Sequence, residues 1–354
     1  MKDNYLITTG GSGGHVIPAT IFCEHLSKKA NIIISTDKRG LKYLEKDIYS
    51  IEIIDTPKIN SIFFLPYTFT IILFLTFRSF LLLREKKIKK VISTGGYMSL
   101  PVILAARLLK INIYLIEPNR VLGRANKYFL KFCKKIFCYS NEIKNFPDSF
   151  KKKIIIINPL VKDDIYKLSL LPKTKDVFTL LVVGGSQGAS VFDDNLKRSI
   201  INISKKTPIK IFQQTNEKNI DNLSNFYSMQ NIENKIFSFD KNFHNLLHQA
   251  DLCITRAGAS TLAELSVLKI PFIAVPLPTS KDNHQFENAN FYRDNDCCWI
   301  LEQNCFEVKI EKILKEILEK KTDYQKKKEN LEKINYQNTW NNVNQKILQN
   351  INEN

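Results

Sequence analysis

Short runs of β-branched and other apolar residues alternate along the chain with longer mixed segments of helical length. The first run is YLITTG from Tyr5, and the rhythm begins again with TLLVVGGSQG from Thr179. The other runs are NIIIST, YSIEIID, KVISTGG, NIYLIEPN, KIFCYS and KIIIINP in the first half and IKIFQQT, KIFSF, LCITRAGAS, PFIAVPLP and CCWILEQ in the second. Strands separated by spacers of this length predict βαβ units and a parallel sheet.

Each half begins with a strand that runs into a glycine-rich turn, which is typical of a doubly wound α/β domain. We therefore expect two such domains, 1–160 and 161–335, joined where the segment KDDIYKLSLLPKTKD has the character of a linker. From Lys309 the pattern becomes helical and rich in Lys and Glu. Residues 336–354 are predicted to form a helix that packs back on the first domain.

Composition narrows the class of protein. The chain has 354 residues, 44% of them apolar and 25% charged, which suits two globular domains and excludes a disordered, collagen-like or multi-span membrane chain. Its seven cysteines follow no CxxC or Cys/His metal spacing, so Cys133, Cys138 and Cys253 are expected to be buried thiols in a reducing cytosol. The opening MKDNYLITTG lacks the pattern of a secretory signal.

The positive charge is concentrated in the first half. The net charge is +17, and residues 1–160 hold 26 basic and 11 acidic residues, a net of +15, which leaves +2 for the remainder. Such an asymmetry predicts an anionic surface facing the first half, either nucleic acid or acidic lipid.

The apolar segment Ile62–Leu83 is long enough to span a bilayer. Pro66 and Arg78 interrupt it, and the α/β elements on both sides must share one sheet. We expect a helix that is half core and half membrane-facing, because REKKIKK follows it directly. An ordinary core helix with a solvated charged end, or a true span, stays open as an alternative.

Three glycine clusters follow strands and precede helices: residues 10–15 (GGSGGH), 93–101 (STGGYMSLP) and 184–189 (GGSQGA). Glycines there let backbone N–H groups approach a phosphate, and the following helix favours negative charge. The first cluster is neither the dinucleotide fingerprint, whose third glycine falls on Val16, nor a Walker A loop. A tight structural turn would explain one or two of its glycines. Together the clusters predict a cleft for a diphosphate-bearing ligand.

A fourth cluster, TRAGASTLAE at residues 255–264, combines Gly258 with a hydroxyl pair and Glu264. The Glu264 carboxylate can accept both hydroxyls of a ribose. A capping box between Thr261 and Glu264 is the alternative interpretation. Downstream, the polar side chains of DNHQFENA (282–289) are typical of sugar-hydroxyl ligands.

The motifs TGGSGGHVIPA, STGGYMSLP, EPN, GGSQGAS, RAGASTLAE and PLPTSKDNHQFENA, in this order and spacing, closely resemble the MurG family of N-acetylglucosaminyltransferases in glycosyltransferase family 28. The resemblance covers residues 5 to about 300. It implies an α/β fold of the GT-B type, two doubly wound Rossmann-like domains facing a central cleft. The first domain would dock on the inner membrane to take lipid I, and the second would hold UDP-GlcNAc.

The resemblance also implies a set of site residues. Ser12, Gly13 and Gly14 would line the donor sugar and pyrophosphate, Asn119 would contact the GlcNAc, and Ser186 the diphosphate. Asp240 falls where backbone groups read the uracil, and Gln285 would bind sugar hydroxyls. The nucleotide would be cradled by Ala259, Ser260, Thr261, Leu262, Ala263 and Glu264, with Glu264 on the ribose.

The chain departs from the family pattern at three places. Ser12 stands where Thr is usual, Ile116–Asn119 reads IEPN where HEQN is usual, and Val161 stands where an Arg is common. Lys162 is adjacent to the last of these positions, and no role is assigned to it. The departures put contact details in doubt and leave the reaction unchanged.

The implied reaction is displacement at the anomeric carbon of UDP-GlcNAc by the 4-hydroxyl of the muramoyl sugar of lipid I, with inversion. The product, lipid II, is used for peptidoglycan synthesis. The enzyme would therefore serve cell-wall biogenesis, cell shape and cell division. His15 is the expected base, and a role in capping the helix or orienting the acceptor is the alternative. Helix N-termini and amides at Gly185–Ser186 and Gly258–Ala259 would neutralise the diphosphate, so neither a metal nor a cofactor is expected. Asp294-Asn295-Asp296 is interpreted as surface.

The expected partners are UDP-GlcNAc, lipid I and an anionic lipid surface, with no nucleic acid, and the expected location is the cytoplasmic face of the inner membrane, as a peripheral protein. Another nucleotide-sugar GT-B enzyme, such as a glycolipid glycosyltransferase or a UDP-GlcNAc epimerase, is the nearer alternative. A basic nucleic-acid-binding protein is the remote one, since the basic residues are not interleaved with stacking aromatics.

Overall fold

The computed structural model describes residues 2–45, 47–57, 65–173, 177–185, 190–240 and 242–352. The chain divides into two compact units, Met1–Leu160 with Asn341–Asn354 and Val161–Trp340. The division after Leu160 falls at the predicted domain boundary, whereas the second unit continues to Trp340 instead of ending at residue 335.

The first unit is built on a seven-stranded parallel sheet in the order β3-β2-β1-β4-β5-β6-β7. Its strands are β1 (Asp3–Thr8), β2 (Ala30–Thr36), β3 (Ser50–Ile53), β4 (Ile88–Ser93), β5 (Asn112–Glu117), β6 (Lys135–Cys138) and β7 (Ile154–Ile156). Its first four helices are α1 (Gly13–Ser27), α2 (Leu65–Glu85), α3 (Leu100–Leu108) and α4 (Arg124–Phe129). The chain reverses its direction of travel across the sheet between β1 and β4, where Thr8 pairs with Ser93.

The second unit repeats the architecture with six parallel strands in the order β10-β9-β8-β11-β12-β13. The strands are β8 (Phe178–Val183), β9 (Ile209–Gln214), β10 (Glu233–Phe237), β11 (Leu252–Thr255), β12 (Phe272–Ala274) and β13 (Cys298–Ile300). The helices are α5 (Asp163–Ser169), α6 (Ser190–Asn195), α7 (Lys197–Ser204), α8 (Ile220–Ser228), α9 (Phe243–Gln249), α10 (Ala259–Val267), α11 (His284–Asp294), α12 (Phe306–Glu319) and α13 (Lys321–Ile334). Two parallel doubly wound sheets confirm the predicted fold class.

Every apolar run that was predicted to be a strand forms one of these thirteen strands. The reason is visible in β5, where Ile113, Tyr114, Leu115 and Ile116 are all buried because helices cover both faces of the sheet. Cys133, Cys138 and Cys253 are buried free thiols, as expected, and burial raises the pKa of Cys133 to about 11.

The last helix, α14 (Trp340–Asn352), packs on the first unit. Its C-terminal carbonyl at Ile351 accepts hydrogen bonds from Lys90 Nζ at 2.7 Å and from Tyr114 Oη at 3.2 Å. Asn344 Nδ2 donates to the carbonyl of His25 at 3.1 Å, which ties the start of the helix to α1.

Helix α2 is apolar on its exposed face as well as on its buried face, which contributes Ile72, Leu75 and Leu83 to the core. The side chains of Tyr67, Phe69, Leu73, Phe74, Phe77 and Leu81 are exposed. The buried face includes the hydroxyls of Thr76 and Ser79, which bond back to the carbonyls of Ile72 and Leu75 at 2.7 Å each. By length and composition Pro66–Glu85 could cross a membrane, and 28% of its most apolar stretch is buried in the protein. The start of the predicted segment, residues 62–64, lies outside the described residues.

Candidate active site

The first glycine cluster forms the turn between β1 and α1. Gly10 has φ +152° and Gly11 φ +80°, conformations that side chains disfavour. Ser12 is the N-cap of α1 in an extended conformation and makes no side-chain cap hydrogen bond. The amides of Gly13 and Gly14 lie in the first turn of the helix, where the helix supplies no carbonyl partner for them. This end of α1 therefore has the local geometry that favours an anionic or sugar ligand.

His15 is fixed by the second glycine cluster. Its Nδ1 lies 2.8 Å from the carbonyl oxygen of Thr94. Because a carbonyl oxygen only accepts, Nδ1 carries the hydrogen, and the lone pair of the neutral ring is on Nε2. This is the tautomer that a base acting through Nε2 requires.

The two glycine turns of the first unit are joined side by side at the ends of β1 and β4. The amide of Thr94 donates to the carbonyl of Thr8 at 3.3 Å, and its hydroxyl donates to that of Thr9 at 2.8 Å. Gly95 and Gly96 follow with φ +87° and +82°, and a Cβ on Gly95 would lie 3.0 Å from Asn126 Oδ1. These glycines are required by the fold itself.

Asn119 lies at the same edge of the sheet, after β5, and is held by Glu117. The buried Glu117 carboxylate accepts the Asn119 side-chain amide at 3.1 Å and, through its other oxygen, the amide of Gly123 at 2.8 Å and Asn126 Nδ2 at 3.0 Å. The sequence motif had pointed to Asn119 alone. A carboxylate that directly ends a buried strand was the signal for the role of Glu117.

In the second unit, α10 begins at residue 259 with Gly258 as its N-cap, and no side chain makes a cap hydrogen bond. Thr261 is therefore the third residue inside the helix. The alternative interpretation of Thr261 and Glu264 as a capping box is wrong, because the helix begins three residues earlier than that interpretation requires. Ala259, Ser260 and Thr261 form the first turn of α10 and Leu262, Ala263 and Glu264 the second.

The Glu264 carboxyl group is buried, and among the described residues no hydrogen bond to it is recorded. Burial raises its pKa to about 7, against the opposing effect of the positive charge of Lys162. A buried carboxyl group with a raised pKa and no recorded hydrogen bond among the described residues is well suited to a ligand that supplies hydrogen-bond donors, such as the two hydroxyls of a ribose.

Arg256 is a further candidate site residue, to which the sequence analysis assigned no role. It follows β11 directly and is 8% exposed. Its guanidinium donates to the carbonyl of Val275 at 3.0 Å and to Gln303 Oε1 at 2.6 Å, and it lies 5.3 Å from the centroid of the Phe192 ring. In the described part of the chain no carboxylate lies within ion-pair distance of it, and burial lowers its pKa. The signal in the sequence was a cation directly after a buried strand.

Two further predicted residues hold loops at the same edge of the second sheet. Gln285 Oε1 accepts the amide of Leu277 at 2.9 Å. Asp240, after β10, accepts the Asn242 amide at 2.7 Å and pairs with Lys235 at 2.6 Å, and the bond from Lys235 helps to hold the pKa of Asp240 below its usual value. Ser186 lies outside the described residues.

The predicted residues thus gather at two strand edges, one in each unit. Ser12, Gly13, Gly14, His15 and Asn119 follow strands of the first sheet, and Asp240, Gln285 and the first two turns of α10 follow strands of the second. Within the described ranges, no group of three His, Cys, Asp or Glu side chains is placed to hold a metal ion. Asp296 pairs instead with Lys326 at 2.8 Å and Lys327 at 2.5 Å.

Comparison with known proteins agrees with the two-unit architecture. The model of the glycosyltransferase family 28 N-terminal domain matches residues 5–138, and that of the C-terminal domain matches residues 179–340. A Pelagibacter ubique protein named UDP-N-acetylglucosamine–N-acetylmuramyl-(pentapeptide) pyrophosphoryl-undecaprenol N-acetylglucosamine transferase is 48% identical over 100% of both chains. A Rickettsia canadensis protein of the same name is 36% identical over 84% of this chain and 86% of its own.

Among solved structures, Acinetobacter baumannii MurG matches with a TM-score of 0.71 and 24% identity, covering 94% of each chain. At 24% identity this match supports the fold alone. The fold is the one described above, in which each of two units is built on a parallel sheet.

Proposed function

The chain belongs to glycosyltransferase family 28, and from this premise we propose how its two units divide one reaction between them. It is an N-acetylglucosaminyltransferase that moves GlcNAc from UDP-GlcNAc to lipid I and so makes lipid II for peptidoglycan synthesis. Through that product it would serve cell-wall biogenesis, and with it cell shape and division.

We assign the base to the first unit. The 4-hydroxyl oxygen of the muramoyl sugar attacks C1 of GlcNAc, and the bond from C1 to the UDP oxygen breaks with inversion. The hydroxyl proton passes to Nε2 of His15, and UDP leaves with the bonding electron pair. The observation that carries this assignment is the hydrogen bond of 2.8 Å from His15 Nδ1 to the Thr94 carbonyl, which sets the tautomer. Ser12, Gly13, Gly14 and Asn119 would position the reacting sugars.

We assign donor binding to the second unit. Glu264 would accept the ribose hydroxyls, Gln285 would bind hydroxyls of the sugar, and the loop at Asp240 would read the uracil. The first turn of α10 supplies unbonded amides, and Arg256 supplies a buried positive charge close by in the sequence. Both would stabilise the negative charge that develops on the departing diphosphate, together with Ser186. On this proposal transfer needs neither a metal ion nor a cofactor.

The direct test is transfer of labelled GlcNAc from UDP-GlcNAc to a short-chain lipid I analogue, with EDTA present and with UDP-glucose as competitor. We expect EDTA-resistant transfer that UDP-glucose does not inhibit at equal concentration. Loss of activity in EDTA that Mg²⁺ restores would overturn the metal-free mechanism. Conversion of UDP-GlcNAc without an acceptor would favour the epimerase alternative.

We further propose that the first unit docks on the cytoplasmic face of the inner membrane, as a peripheral protein, through α2. Its outward Phe69, Phe74 and Phe77 and its inward hydroxyls suit an apolar environment outside the helix. The cations at the end of the helix, which are Arg84, Lys86, Lys87 and Lys89, would meet anionic headgroups.

Sedimentation with vesicles of anionic lipid tests the docking surface. The change Phe74→Ser with Phe77→Ser should weaken partition by about two orders of magnitude or more, since each buried Phe contributes about 1.5–3 kcal/mol. Leu170→Ser, which alters an exposed apolar residue of the second unit, serves as the matched control. Competitor DNA at physiological salt should leave partition unchanged, and displacement of the vesicles by DNA would favour the nucleic-acid alternative.

A further inference from the structure

Asp37 reaches from the end of β2 to the first glycine turn. Its buried carboxylate accepts the amide of Gly11 at 2.8 Å and that of Gly40 at 2.9 Å on one oxygen. The other oxygen accepts Arg39 Nε at 2.8 Å and Nη2 at 2.6 Å. Burial alone would raise the pKa of Asp37, but the two amides and Arg39 hold it below its usual value. The group is therefore an anion with four donors around it.

Arg39 continues the connection to the second glycine turn. Its Nη2 also donates to the Tyr97 hydroxyl at 2.5 Å, and the guanidinium carbon lies 5.3 Å from the centroid of the Tyr97 ring. Tyr97 directly follows Gly95 and Gly96. Met98 fills the space between the turns, since a Cβ on Gly10 would lie 3.0 Å from its Cγ and one on Gly11 would lie 2.8 Å from its Cε.

The position of His15 depends on both turns. The first turn leads into the helix that carries its backbone, and the second provides the Thr94 carbonyl that holds its ring. A shift of one turn against the other would move Nε2 or break the bond that sets the tautomer. Neither result requires the unit to unfold.

We propose that Asp37, Arg39 and Tyr97, the Asp37 bracket, form a positioning device that locks the two glycine turns together and so orients His15. The proposal rests on the proposed function of His15 as base. The bracket acts through His15 and the turns, so its members are positioning residues. A bracket that only stabilised the fold would lower the midpoint of unfolding without changing kcat of the folded protein.

Four variants separate these possibilities. Asp37→Ala removes every bond of the bracket to the first turn. Asp37→Asn keeps an oxygen for the amides of Gly11 and Gly40 but turns its NH2 towards Arg39. Arg39→Met removes the link to Tyr97. Lys38→Met is the matched control, because Lys38 is the adjacent cation and pairs only with the exposed Asp55 at 3.6 Å among the ion pairs of the described residues.

In the transfer assay, kcat of Asp37→Ala should fall roughly 10- to 100-fold, the scale of a displacement of about 1 Å in a catalytic group. KM for UDP-GlcNAc should change less than kcat, because the residues proposed to bind the nucleotide belong to the second unit. Asp37→Asn should retain more activity than Asp37→Ala, and the double variant Asp37→Ala with Arg39→Met should be no slower than Asp37→Ala alone, since the two residues act as a unit. Lys38→Met should match the wild type.

A second readout needs no substrate. In protein labelled with ¹⁵N-histidine, long-range ¹H–¹⁵N NMR reports the tautomer of each ring, and His15→Ala assigns the signal. The wild type should show the Nδ1–H form at His15, and Asp37→Ala should show a mixture. The bracket is overturned if folded Asp37→Ala keeps kcat within about twofold and the His15 tautomer unchanged, or if Lys38→Met is as slow as Arg39→Met. A wild type without transfer activity would instead overturn the proposed function, and the NMR measurement would still decide the bracket.

Discussion

Both units carry charged groups where strands of their sheets end. The groups of the two units differ in how many hydrogen bonds and ion pairs they make within the protein. In the first unit, Asp37 follows a strand and Glu117 ends one, and each accepts four hydrogen bonds from neighbouring residues. In the second, Arg256 has no carboxylate partner among the described residues, and burial raises the pKa of Glu264 to about 7.

The difference corresponds to two ways of building a site. The groups of the first unit fix their own loops, so the geometry around His15 exists before any substrate binds. The groups of the second unit are buried with part of their interactions unmade, so a ligand with an anionic diphosphate and a pair of hydroxyls would complete them. Changes to the groups that fix His15 should therefore affect kcat more than donor binding, and loss of Glu264 should affect donor binding more than kcat.

The largest effect should come from His15. The variant His15→Ala should lower kcat by roughly 10²- to 10⁴-fold, the usual contribution of a general base. KM for UDP-GlcNAc should change little. Steady-state kinetics with both substrates measures the separate effects on kcat and KM, with His248→Ala, a half-buried histidine of the second unit, as the control. A weaker donor affinity with kcat intact would remove His15 as the base and break the comparison.

Glu264 should give the opposite result. Loss of its carboxylate in Glu264→Ala removes a charged hydrogen bond of about 1.5–3 kcal/mol, which should raise KM for UDP-GlcNAc by roughly one to two orders of magnitude. The effect on kcat should be smaller than the effect on KM. Isothermal titration with UDP checks the affinity without turnover. An unchanged KM would show that Glu264 serves only the packing of α10.

The extent to which the sequence predicted these features depends on the distance over which each interaction acts. The thirteen strands were predicted because hydrophobic periodicity is local, and His15 and the glycine turns were found because they are contiguous. The roles of Asp37 and Arg39 were not, since Asp37 contacts Gly11 across 26 positions and Arg39 contacts Tyr97 across 58. The start of α10 was misplaced in the capping-box interpretation because glycine is a weak signal for an N-cap beside a nearby threonine.

The pH dependence of UDP binding sharpens the account of Glu264. In the folded protein the pKa of Glu264 is about 7, above its ordinary value, because burial favours the protonated carboxyl group. The stability that the protonated group contributes to the unliganded protein is lost as the pH rises through about 7. Ribose hydroxyls bind best to the ionised form. Affinity for UDP should therefore rise about tenfold between pH 6 and 8, the ratio in which the ionised fraction of a group with this pKa changes.

Glu264→Gln is the control for that measurement, because the terminal phosphate of UDP also titrates near pH 6. The rise that belongs to Glu264 is the difference between the wild type and the variant, and calorimetry in two buffers should show more proton release in the wild type than in the variant. Equal slopes in the two proteins would mean that Glu264 is already ionised before UDP binds.

The smallest effects should come from a pair of glycines that serve different purposes. Gly11 has φ +80°, and a Cβ there would lie 2.8 Å from Met98 Cε, so Gly11→Ala should destabilise the fold by about 1–2 kcal/mol. Gly258 has φ −71°, and a Cβ there would have no described atom within 4 Å. Gly258→Ala should therefore leave the free energy of unfolding within about 1 kcal/mol of the wild type, because the lower entropy of the unfolded chain offsets the poorer N-cap.

If the donor binds at the first turn of α10, as proposed, the methyl group of Gly258→Ala would reduce the space for it, and KM for UDP-GlcNAc should rise severalfold. Urea unfolding and steady-state kinetics on both variants measure the two quantities. If Gly258→Ala lost stability while KM stayed constant, the glycine would serve the fold in the second unit as it does in the first. The difference between the first unit, whose loops fix the site, and the second unit, whose site a ligand completes, would then not hold at Gly258. The open space beside α10 would no longer be evidence for a donor-binding site there.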